Sequence, residues 1–238
     1  MNRIAYIVLR NILELPGWFY QICRMGRDTD PHTMQEKYDY LRIRTTKAIS
    51  RGNVVLEISG NENLPSEQGF ILFPNHQGLF DIVAMIMACP YPISPVAKKE
   101  LGNIILIKQV MRLLKGILID REDIRASLEI MKTMSENVKK GQNYLIFAEG
   151  TRSRNGNQIL PFKGGTFKCA VKAKCPIVPV ALIDSFKPFD VSTIEKETVQ
   201  LHFMEPIYYE EYAGLKTTEI AEIVHDRIQK KINENVKK

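Results

Sequence analysis

The chain has 238 residues, of which 45% are hydrophobic and 25% charged, the proportions of an ordinary globular protein with one well-cored domain. This composition excludes a disordered chain, a collagen-like chain and a repeat array. The net charge of +6 suits a nucleic acid, an anionic lipid or an acidic protein equally well, so charge alone does not select a partner.

The first distinct segment is residues 1–27, which has the pattern of an amphipathic helix. On a helical wheel, Arg3, Arg10 and Glu14 fall within one narrow sector, and apolar residues occupy most of the remaining surface. Pro16 then interrupts the pattern. Neither this segment nor any other has the roughly 20 apolar residues that spanning a bilayer requires, and no convincing signal-peptide cleavage site follows. We therefore expect a soluble or monotopic protein.

A helix with so broad an apolar face must bury it, and the sequence leaves two surfaces open. The helix could dock on the protein's own core, or it could lie in a membrane interface. The aromatic run 18–20, flanked by Arg24 and Arg27, favours the interface, because aromatic side chains lie at the level of lipid headgroups and arginines reach anionic phosphates. We predict that residues 1–34 attach the protein to a membrane surface containing anionic lipid.

From about residue 35 the hydrophobic pattern alternates between helix and strand periods, which predicts an α/β fold with a mixed sheet flanked by helices. The predicted strands are 54–58, 70–73, 93–96, 116–119, 144–148, 177–182 and 199–203. The predicted helices are 38–49, 79–88, 103–114, 121–140, 164–174 and 217–236. The alternation at 199–203 is typical of a half-exposed edge strand, and Pro179 predicts an edge or bulge position. Since no linker divides this region, residues 35–238 are expected to form one domain.

The four cysteines lack both metal-site and C-x-x-C spacing. They are Cys23, Cys89, Cys169 and Cys175. We interpret them as buried thiols in a reducing compartment.

The most informative stretch is residues 74–81, P-N-H-Q-G-L-F-D, between a predicted strand and a predicted helix. Five helical steps rotate about 140°, so His76 and Asp81 meet only if His76 lies on the turn and Asp81 in the first helical turn. Gly78 would ease that turn. The carboxylate would then hold one imidazole nitrogen while the other takes a proton from a hydroxyl. On its own, however, a histidine five residues before an aspartate is more often a loop residue that has no contact with the acid at the start of the helix.

Two further turns carry arginines at the ends of apolar strands. Residues 147–154 read F-A-E-G-T-R-S-R, and residues 116–121 read G-I-L-I-D-R. Strand-end turns expose backbone N–H groups, and arginine binds phosphate through paired, charge-assisted hydrogen bonds. Read separately, the first turn also fits a basic surface hairpin and the second a strand-capping salt bridge. The run 177–180, I-V-P-V, carries no reactive side chain.

Taken in order, N-H-Q-G-L-F-D, K-G-I-L-I-D-R, F-A-E-G-T-R-S and V-P-V resemble the motifs of the glycerolipid acyltransferase family, especially its bacterial 1-acylglycerol-3-phosphate acyltransferases. The resemblance covers roughly residues 50–210. It implies that residues 35–238 form a compact α/β acyltransferase domain that moves a fatty acyl chain from a thioester to a glycerol hydroxyl. Ala148 stands where the family usually has proline, and little effect is expected because that residue only stiffens a turn.

The resemblance also implies roles for single residues. His76 and Asp81 correspond to the catalytic pair of the family. The positions that bind the acceptor's phosphate in the family pattern correspond to Arg121, Glu149, Gly150, Thr151 and Arg152. Lys98, in the family-like segment K-K-E-L, is expected near the developing oxyanion. Neither a metal nor a cofactor is implied.

These roles predict direct transfer, in which His76 removes the proton of the acceptor hydroxyl as its oxygen attacks the thioester carbonyl. The expected acceptor is lysophosphatidic acid, and the product is phosphatidic acid for phospholipid synthesis. The expected donor is acyl-CoA or acyl carrier protein, and no nucleic acid partner is expected. The expected location is peripheral, on the cytoplasmic face of the cell membrane.

Three alternatives stay open at this point. The acceptor could instead be glycerol 3-phosphate or a lyso-aminolipid, although the two arginines favour a phosphate. The protein could be a catalytically silent lipid-binding protein, against which the complete His–Asp pair counts. It could also be a thioesterase, which would release thiol without any lysolipid.

Overall fold

The structure, a computed structural model, describes residues 2–120 and 123–236. Its helices are α1 (Arg3–Asn11), α2 (Leu15–Met25), α3 (Met34–Ser50), α4 (Asp81–Ala88), α5 (Ile105–Leu113), α6 (Ile124–Lys139), α7 (Lys168–Ala173), α8 (Lys187–Asp190), α9 (Tyr209–Tyr212) and α10 (Thr217–Asn235). Its strands are β1 (Val54–Ser59), β2 (Ile71–Pro74), β3 (Ile93–Lys98), β4 (Ile117–Ile119), β5 (Asn143–Leu145), β6 (Ile177–Ile183) and β7 (Glu197–Phe203). Every strand and helix predicted beyond residue 35 has a counterpart at its place in the chain.

The strands within the described residues form one seven-stranded sheet in the order β1-β7-β6-β2-β5-β3-β4. Neighbouring strands are parallel except β6 and β7, so β1 and β7 run against the other five. The central strands β2 and β6 are buried along their whole length. Strands covered on both faces are apolar throughout and do not alternate, which explains their sequences.

Helices cover both faces of the sheet and create two hydrophobic cores. Leu72 belongs to one core with residues of α1 to α4, whereas Ile71 and Phe73 belong to the other with residues of α6, α7 and α10. Successive side chains of a strand point to opposite faces, so the two cores lie on opposite sides of the sheet. The predicted class, a mixed α/β sheet flanked by helices and preceded by N-terminal helices, is confirmed.

The prediction that residues 199–203 form an edge strand is wrong. The predicted alternation of buried and partly exposed side chains is present in β7. However, β1 pairs along all of β7, from Val54 opposite Glu197 to Ser59 opposite His202. The edge strand on this side of the sheet is therefore β1.

Pro179 lies in a central strand, so of its two predicted positions the bulge is the correct one. Ile177 pairs with Ile207, while Val180 pairs with Phe203. The three residue steps from 177 to 180 in β6 therefore lie opposite the four steps from 203 to 207 in the partner segment. That segment thus contains the extra residue of a β-bulge. A proline is tolerated at such an irregular position because its missing N–H interrupts no regular ladder.

The first helix, α1, turns part of its polar sector towards the protein. Arg3 is fully buried, and its guanidinium donates to the carbonyl oxygens of Gly52 (3.0 Å), Asn53 (3.0 Å) and Glu195 (2.7 Å). Gly52 and Asn53 follow the carboxyl end of α3, where a helix favours a cation. Asn11 is buried as well. The helix is thus anchored by polar contacts.

Apart from Ile7, which is buried in the core, most of the apolar surface of α1 is left uncovered. Its exposed large apolar residues, continuing into the turn before α2, are Ile4, Val8, Leu9, Ile12 and Leu13. Leu13 is 93% exposed, although leucine is among the residue types most often buried. In the described part of the chain no helix is both long and apolar enough to cross a bilayer.

The aromatic run after α1 does not act as one cluster. Trp18 is half-buried beneath Arg44 and Lys47 of α3, with the cations 6.0 and 5.7 Å from its ring centroid. Tyr20 is exposed. Cation–π contacts thus hold the Trp18 ring against the protein, whereas the Tyr20 ring faces outwards. Pro16 lies within the first turn of α2, a position where proline is tolerated.

Three of the four thiols are buried, as interpreted from their spacing, and Cys23 is partly buried. Burial raises the pKa of Cys89 to about 12 and that of Cys169 to about 11, and it also raises the pKa of Cys175. Since the thiolate is the nucleophile, these three thiols are unreactive.

Candidate active site

Most of the described residues that were predicted to carry chemistry lie at one edge of the sheet. β2, β3, β5 and β6 run in the same direction, so their carboxyl ends share the edge at which parallel sheets bind ligands. Leu72 of β2 is paired with Leu145 of β5. His76 and Glu149 lie four residues beyond this pair, past the ends of their strands, and the backbone N–H of His76 donates to Glu149 Oε1.

Asn75 keeps the start of the turn in line with the sheet. Its side-chain amide donates to the Leu182 carbonyl at 3.0 Å, and its Oδ1 accepts the Leu182 N–H at 2.7 Å. The side chain thus continues the ladder between β2 and β6 by one residue. This anchoring directs the next residue, His76, into the edge of the sheet.

His76 and Asp81 lie in contact across the turn. Asp81 opens α4, and its Oδ2 is 2.6 Å from His76 Nδ1 and also accepts the N–H groups of Gln77 (2.6 Å) and Gly78 (3.0 Å). Its Oδ1 accepts the hydroxyl of Ser185. The aspartate is fully buried, whereas the histidine side chain is 23% exposed. The carboxylate holds the proton on Nδ1, which leaves the lone pair of Nε2 for a substrate hydroxyl.

Three other contacts fix the position of His76. Its ring is stacked on Phe147 with centroids 4.1 Å apart. Its N–H donates to Glu149 Oε1 at 2.5 Å, and its carbonyl accepts the Ser153 N–H at 2.8 Å. These three contacts come from residues that follow β5, and they hold the turn that carries His76. Such multiple support is what a preorganised acid–base group needs.

Glu149, whose Oε1 accepts the backbone N–H of His76, is almost fully buried. Its Oε2 accepts the N–H of Leu160 at 2.9 Å, so both carboxylate oxygens are engaged within the protein. Burial raises the pKa of Glu149, while the hydrogen bonds from the backbone of His76 and Leu160 act in the opposite direction. This geometry differs from the phosphate-binding role that the resemblance implies for Glu149, because the carboxylate supports the His76 backbone.

Two glycines are required for different reasons. Gly150 has a φ of 75°, in the left-handed region that glycine adopts without strain. Gly78 is required for space, because a Cβ there would lie 2.8 Å from the Cα of Phe186 and would also collide with Asp190. Thr151, which directly follows Gly150, is exposed.

Arg152 reaches from its turn to the last residue of α8. Its guanidinium is 3.0 Å from Asp190 Oδ1, and Asp190 Oδ2 accepts the N–H of Leu79 at 3.0 Å. Asp190 thereby links the arginine to the turn that carries His76. The guanidinium contacts Asp190 through one nitrogen, and its side chain is partly exposed.

The structure does not place every predicted site residue beside His76. Lys98 ends β3, two strands from β2 and hence about 10 Å away. It is level with Asn75 by the strand register, and its ammonium is 3.6 Å from Glu100. The predicted phosphate ligand Arg121 lies outside the described residues. Among the residues that are described, no group of three or more His, Cys, Asp or Glu side chains is placed to hold a metal ion.

Comparison with known proteins identifies the family. The sequence profile of the Acyltransferase family matches residues 55–183, more than half of the chain. The chain belongs to the acyltransferase family. This acyltransferase is 35% identical over 147 residues to a Helicobacter pylori protein named 1-acyl-sn-glycerol-3-phosphate acyltransferase, a match covering 58% of the chain and 62% of the relative.

The same name recurs among animal relatives. The acyltransferase is 30% identical over 187 residues to the Mus musculus 1-acyl-sn-glycerol-3-phosphate acyltransferase alpha, covering 78% of the chain and 61% of the relative. The chain thus spans about three fifths of the length of these curated relatives. The predicted resemblance to the glycerolipid acyltransferases is confirmed.

A solved structure shares the fold along almost the whole chain. It is the crystal structure of the 1-acyl-sn-glycerophosphate (LPA) acyltransferase PlsC from Thermotoga maritima, with a TM-score of 0.71 and 24% identity. The alignment covers 96% of this acyltransferase and 97% of that chain. At this identity the likeness concerns the fold.

Two residues of the site were not predicted from the sequence. Asp190 contacts Arg152, and Ser185 contacts Asp81. Ser185 follows β6, a strand neighbouring β2 and parallel to it. Its place just beyond the carboxyl end of that strand was the available signal, because such residues share an edge with the other strand ends. Asp190 carries no comparable signal, since a short helix intervenes.

Proposed function

We propose that this acyltransferase moves a fatty acyl chain from a thioester to the free hydroxyl of 1-acylglycerol 3-phosphate, giving phosphatidic acid for phospholipid synthesis. The observation that carries the proposal is the 2.6 Å contact between His76 Nδ1 and the buried Asp81, at the sheet edge where ligands bind. The names of the relatives from Helicobacter pylori and Mus musculus support the choice of reaction.

In this proposal His76 acts as the general base. Its Nε2 takes the proton of the acceptor hydroxyl while that oxygen forms a bond to the thioester carbonyl carbon. The buried Asp81 carboxylate stabilises the imidazolium that results. When the tetrahedral intermediate collapses, the C–S bond breaks and the leaving thiolate takes the proton back from His76. The unreactive Cys89, Cys169 and Cys175 favour this direct transfer over an acyl-enzyme.

The oxyanion of the tetrahedral intermediate needs hydrogen-bond donors. The N–H groups of residues 76–79 already donate to the carboxylates of Glu149, Asp81 and Asp190. We therefore propose that Lys98, at the same edge of the sheet, approaches the oxyanion. Within the described residues its exposed side chain forms an ion pair with the exposed Glu100, a contact worth little.

The acceptor's phosphate is assigned to Arg152, together with Arg121 and the turn that contains Gly150 and Thr151. The Arg152 guanidinium contacts Asp190 through one nitrogen, which leaves its other N–H donors for a phosphate. Glu149 contributes by positioning His76. We further propose that residues 35–238 form the acyltransferase domain and residues 1–34 its membrane-attaching element.

A thiol-release assay tests this function directly. We expect the wild-type protein to release free thiol from acyl-CoA or acyl carrier protein only when lysophosphatidate is present. A thioesterase would release thiol without lysophosphatidate, and a silent lipid-binding protein would release none. Either of these results would contradict the proposed reaction.

The uncovered face of α1 supports peripheral attachment to a membrane. Its polar anchor Arg3 holds the helix to the protein and turns the apolar residues outwards. Arg10, Arg24 and Arg27 are exposed in the same region, where they can reach anionic lipid headgroups. The cytoplasmic face of the cell membrane remains the predicted location.

Two leucines on this face provide a test of attachment. Replacing Leu9 and Leu13 together by glutamine should reduce binding to anionic vesicles about a hundredfold or more, because burying each leucine contributes about 1.5–3 kcal/mol. Vesicle flotation measures this loss. Salt should weaken wild-type binding only in part, since screening acts on the arginines and not on apolar burial.

Leu128→Gln is the matched control, because this leucine is 56% exposed on α6, which packs on the opposite face of the sheet. It should float like the wild type. Point variants are sharper than deletion of residues 1–27, because Ile7, Ile22 and Met25 belong to the core. Equal flotation of the double variant and the control would show that α1 does not contact the membrane.

A further inference from the structure

Asp81 has a further partner, a buried serine just beyond the end of β6. The hydroxyl of Ser185 contacts Asp81 Oδ1, the oxygen that His76 does not use. Ser185 is fully buried and lies two residues beyond β6. A buried hydroxyl next to a buried carboxylate is a specific contact, because each group would be costly to bury without the other.

The hydroxyl of Ser185 donates its hydrogen bond to Asp81 rather than to the side chain of Gln77. The Ser185 oxygen is also 3.0 Å from Gln77 Oε1, so one proton has two possible acceptors. Gln77 Oε1 is neutral and already accepts the Ser185 backbone N–H at 3.0 Å. A hydrogen bond to a charged acceptor is both shorter and stronger than one to a neutral acceptor. The proton is therefore directed to the carboxylate.

A chain of amides fixes the orientation of Gln77. Its Nε2 donates to Asn157 Oδ1 at 2.8 Å, which leaves its Oε1 facing Ser185. Asn157 is fixed in turn, because it donates to Asp184 Oδ1 at 2.9 Å and accepts the Asp184 N–H at 2.9 Å. The amide chain thus joins the turn around residue 157 to the Asp81 carboxylate through Ser185.

The backbone at the end of β6 is shaped to present Ser185. Asp184 has a φ of 61°, a left-handed conformation that aspartate adopts more readily than most residues. This residue ends the strand, and Ser185 then directs both its N–H and its hydroxyl at the turn between β2 and α4. The carboxyl end of β6 therefore serves the site, although the strand itself carries no reactive side chain.

We propose that Ser185 is a positioning residue for the His76–Asp81 pair. Its hydrogen bond fixes the plane of the Asp81 carboxylate, and the carboxylate fixes the direction in which His76 Nε2 points. Without this donor, Oδ1 loses the hydrogen bond that it has within the described residues, and the carboxylate is held through Oδ2 alone. Ser185 acts through Asp81 and does not touch the substrate. This inference rests on the proposed function.

Kinetics of Ser185→Ala test the proposal. We expect kcat to fall about tenfold to a hundredfold, the range for one hydrogen bond to a charged group, with KM for lysophosphatidate unchanged. In the Asp81→Asn background the same change should cost less than about threefold, because a residue that acts through Asp81 loses its effect when that carboxylate is gone. Ser185→Cys, which keeps a side chain of similar shape but donates weakly, should behave like alanine.

Ser94→Ala is the matched control, since Ser94 is also buried in the sheet and its hydroxyl donates to the Leu114 carbonyl at 2.7 Å. It should lose stability without losing kcat, and thermal unfolding of both variants separates the two effects. Equal kcat losses for Ser185→Ala with and without Asp81, or retained kcat in folded Ser185→Cys, would overturn the proposal. An inactive wild type would instead overturn the proposed function.

Discussion

His76→Ala should lower kcat by about 10²–10⁴, the usual contribution of a positioned acid–base group. The reason is that the partly exposed imidazole is the group supported by a buried carboxylate, with Nδ1 held at 2.6 Å from Asp81. Initial rates of thiol release by the wild type and the variant measure this loss.

Asp81→Asn supplies the matched comparison, because it keeps the size of the side chain and removes its charge. It should remain folded and still lose most of the turnover, since the imidazolium loses its stabilising partner. Near-native transfer by folded His76→Ala would eliminate the general-base assignment.

Arg152→Ala should lower kcat/KM for lysophosphatidate about tenfold to a hundredfold, because charge-assisted hydrogen bonds contribute about 1.5–3 kcal/mol each. Lysine should rescue poorly, since a point charge cannot reproduce the planar guanidinium. With a phosphate-free monoacylglycerol the wild type should already be poor, and the substitution should cost little more. We expect the same acceptor dependence for Arg121→Ala. Matched kinetics on the two acceptors measure it.

The control for Arg152 is Arg154→Ala, an exposed arginine two residues further along the same turn. It should retain transfer to both acceptors. Loss of the partly exposed ion pair with Asp190 should change the melting temperature little, because such pairs contribute about 0–1 kcal/mol. An equal loss on both acceptors would mean that Arg152 holds the fold or the donor, and the phosphate assignment would then be withdrawn.

The local sequence pattern was sufficient to predict much of the fold and to suggest one contact of the site. The alternation of helix and strand periods predicts the mixed sheet, because each element must match its own repeat to bury its apolar face. His76 and Asp81 are five positions apart, so a local turn can bring them together, and the family resemblance favoured that contact over an unrelated pair. The strand order is not local, which is why β7 was wrongly expected at an edge.

The contacts that could not be predicted join distant parts of the chain. The carbonyl partners of Arg3 are 49, 50 and 192 positions away, so a helical wheel cannot show that this arginine faces inwards. Ser185 is 104 positions from Asp81, and Asp190 is 38 positions from Arg152. These contacts depend on which strand ends lie side by side, and a single sequence does not specify that arrangement.

Mass spectrometry of the products made from defined lysophosphatidate tests the central claim most directly. Wild-type protein is incubated with 1-acylglycerol 3-phosphate and either acyl-CoA or acyl carrier protein, each carrying an isotope-labelled chain. We predict phosphatidic acid that contains the labelled chain with at least one donor, and a loss of that product with His76→Ala. Labelled free fatty acid without labelled phosphatidic acid, or labelled phosphatidic acid formed equally well by His76→Ala, would contradict the account.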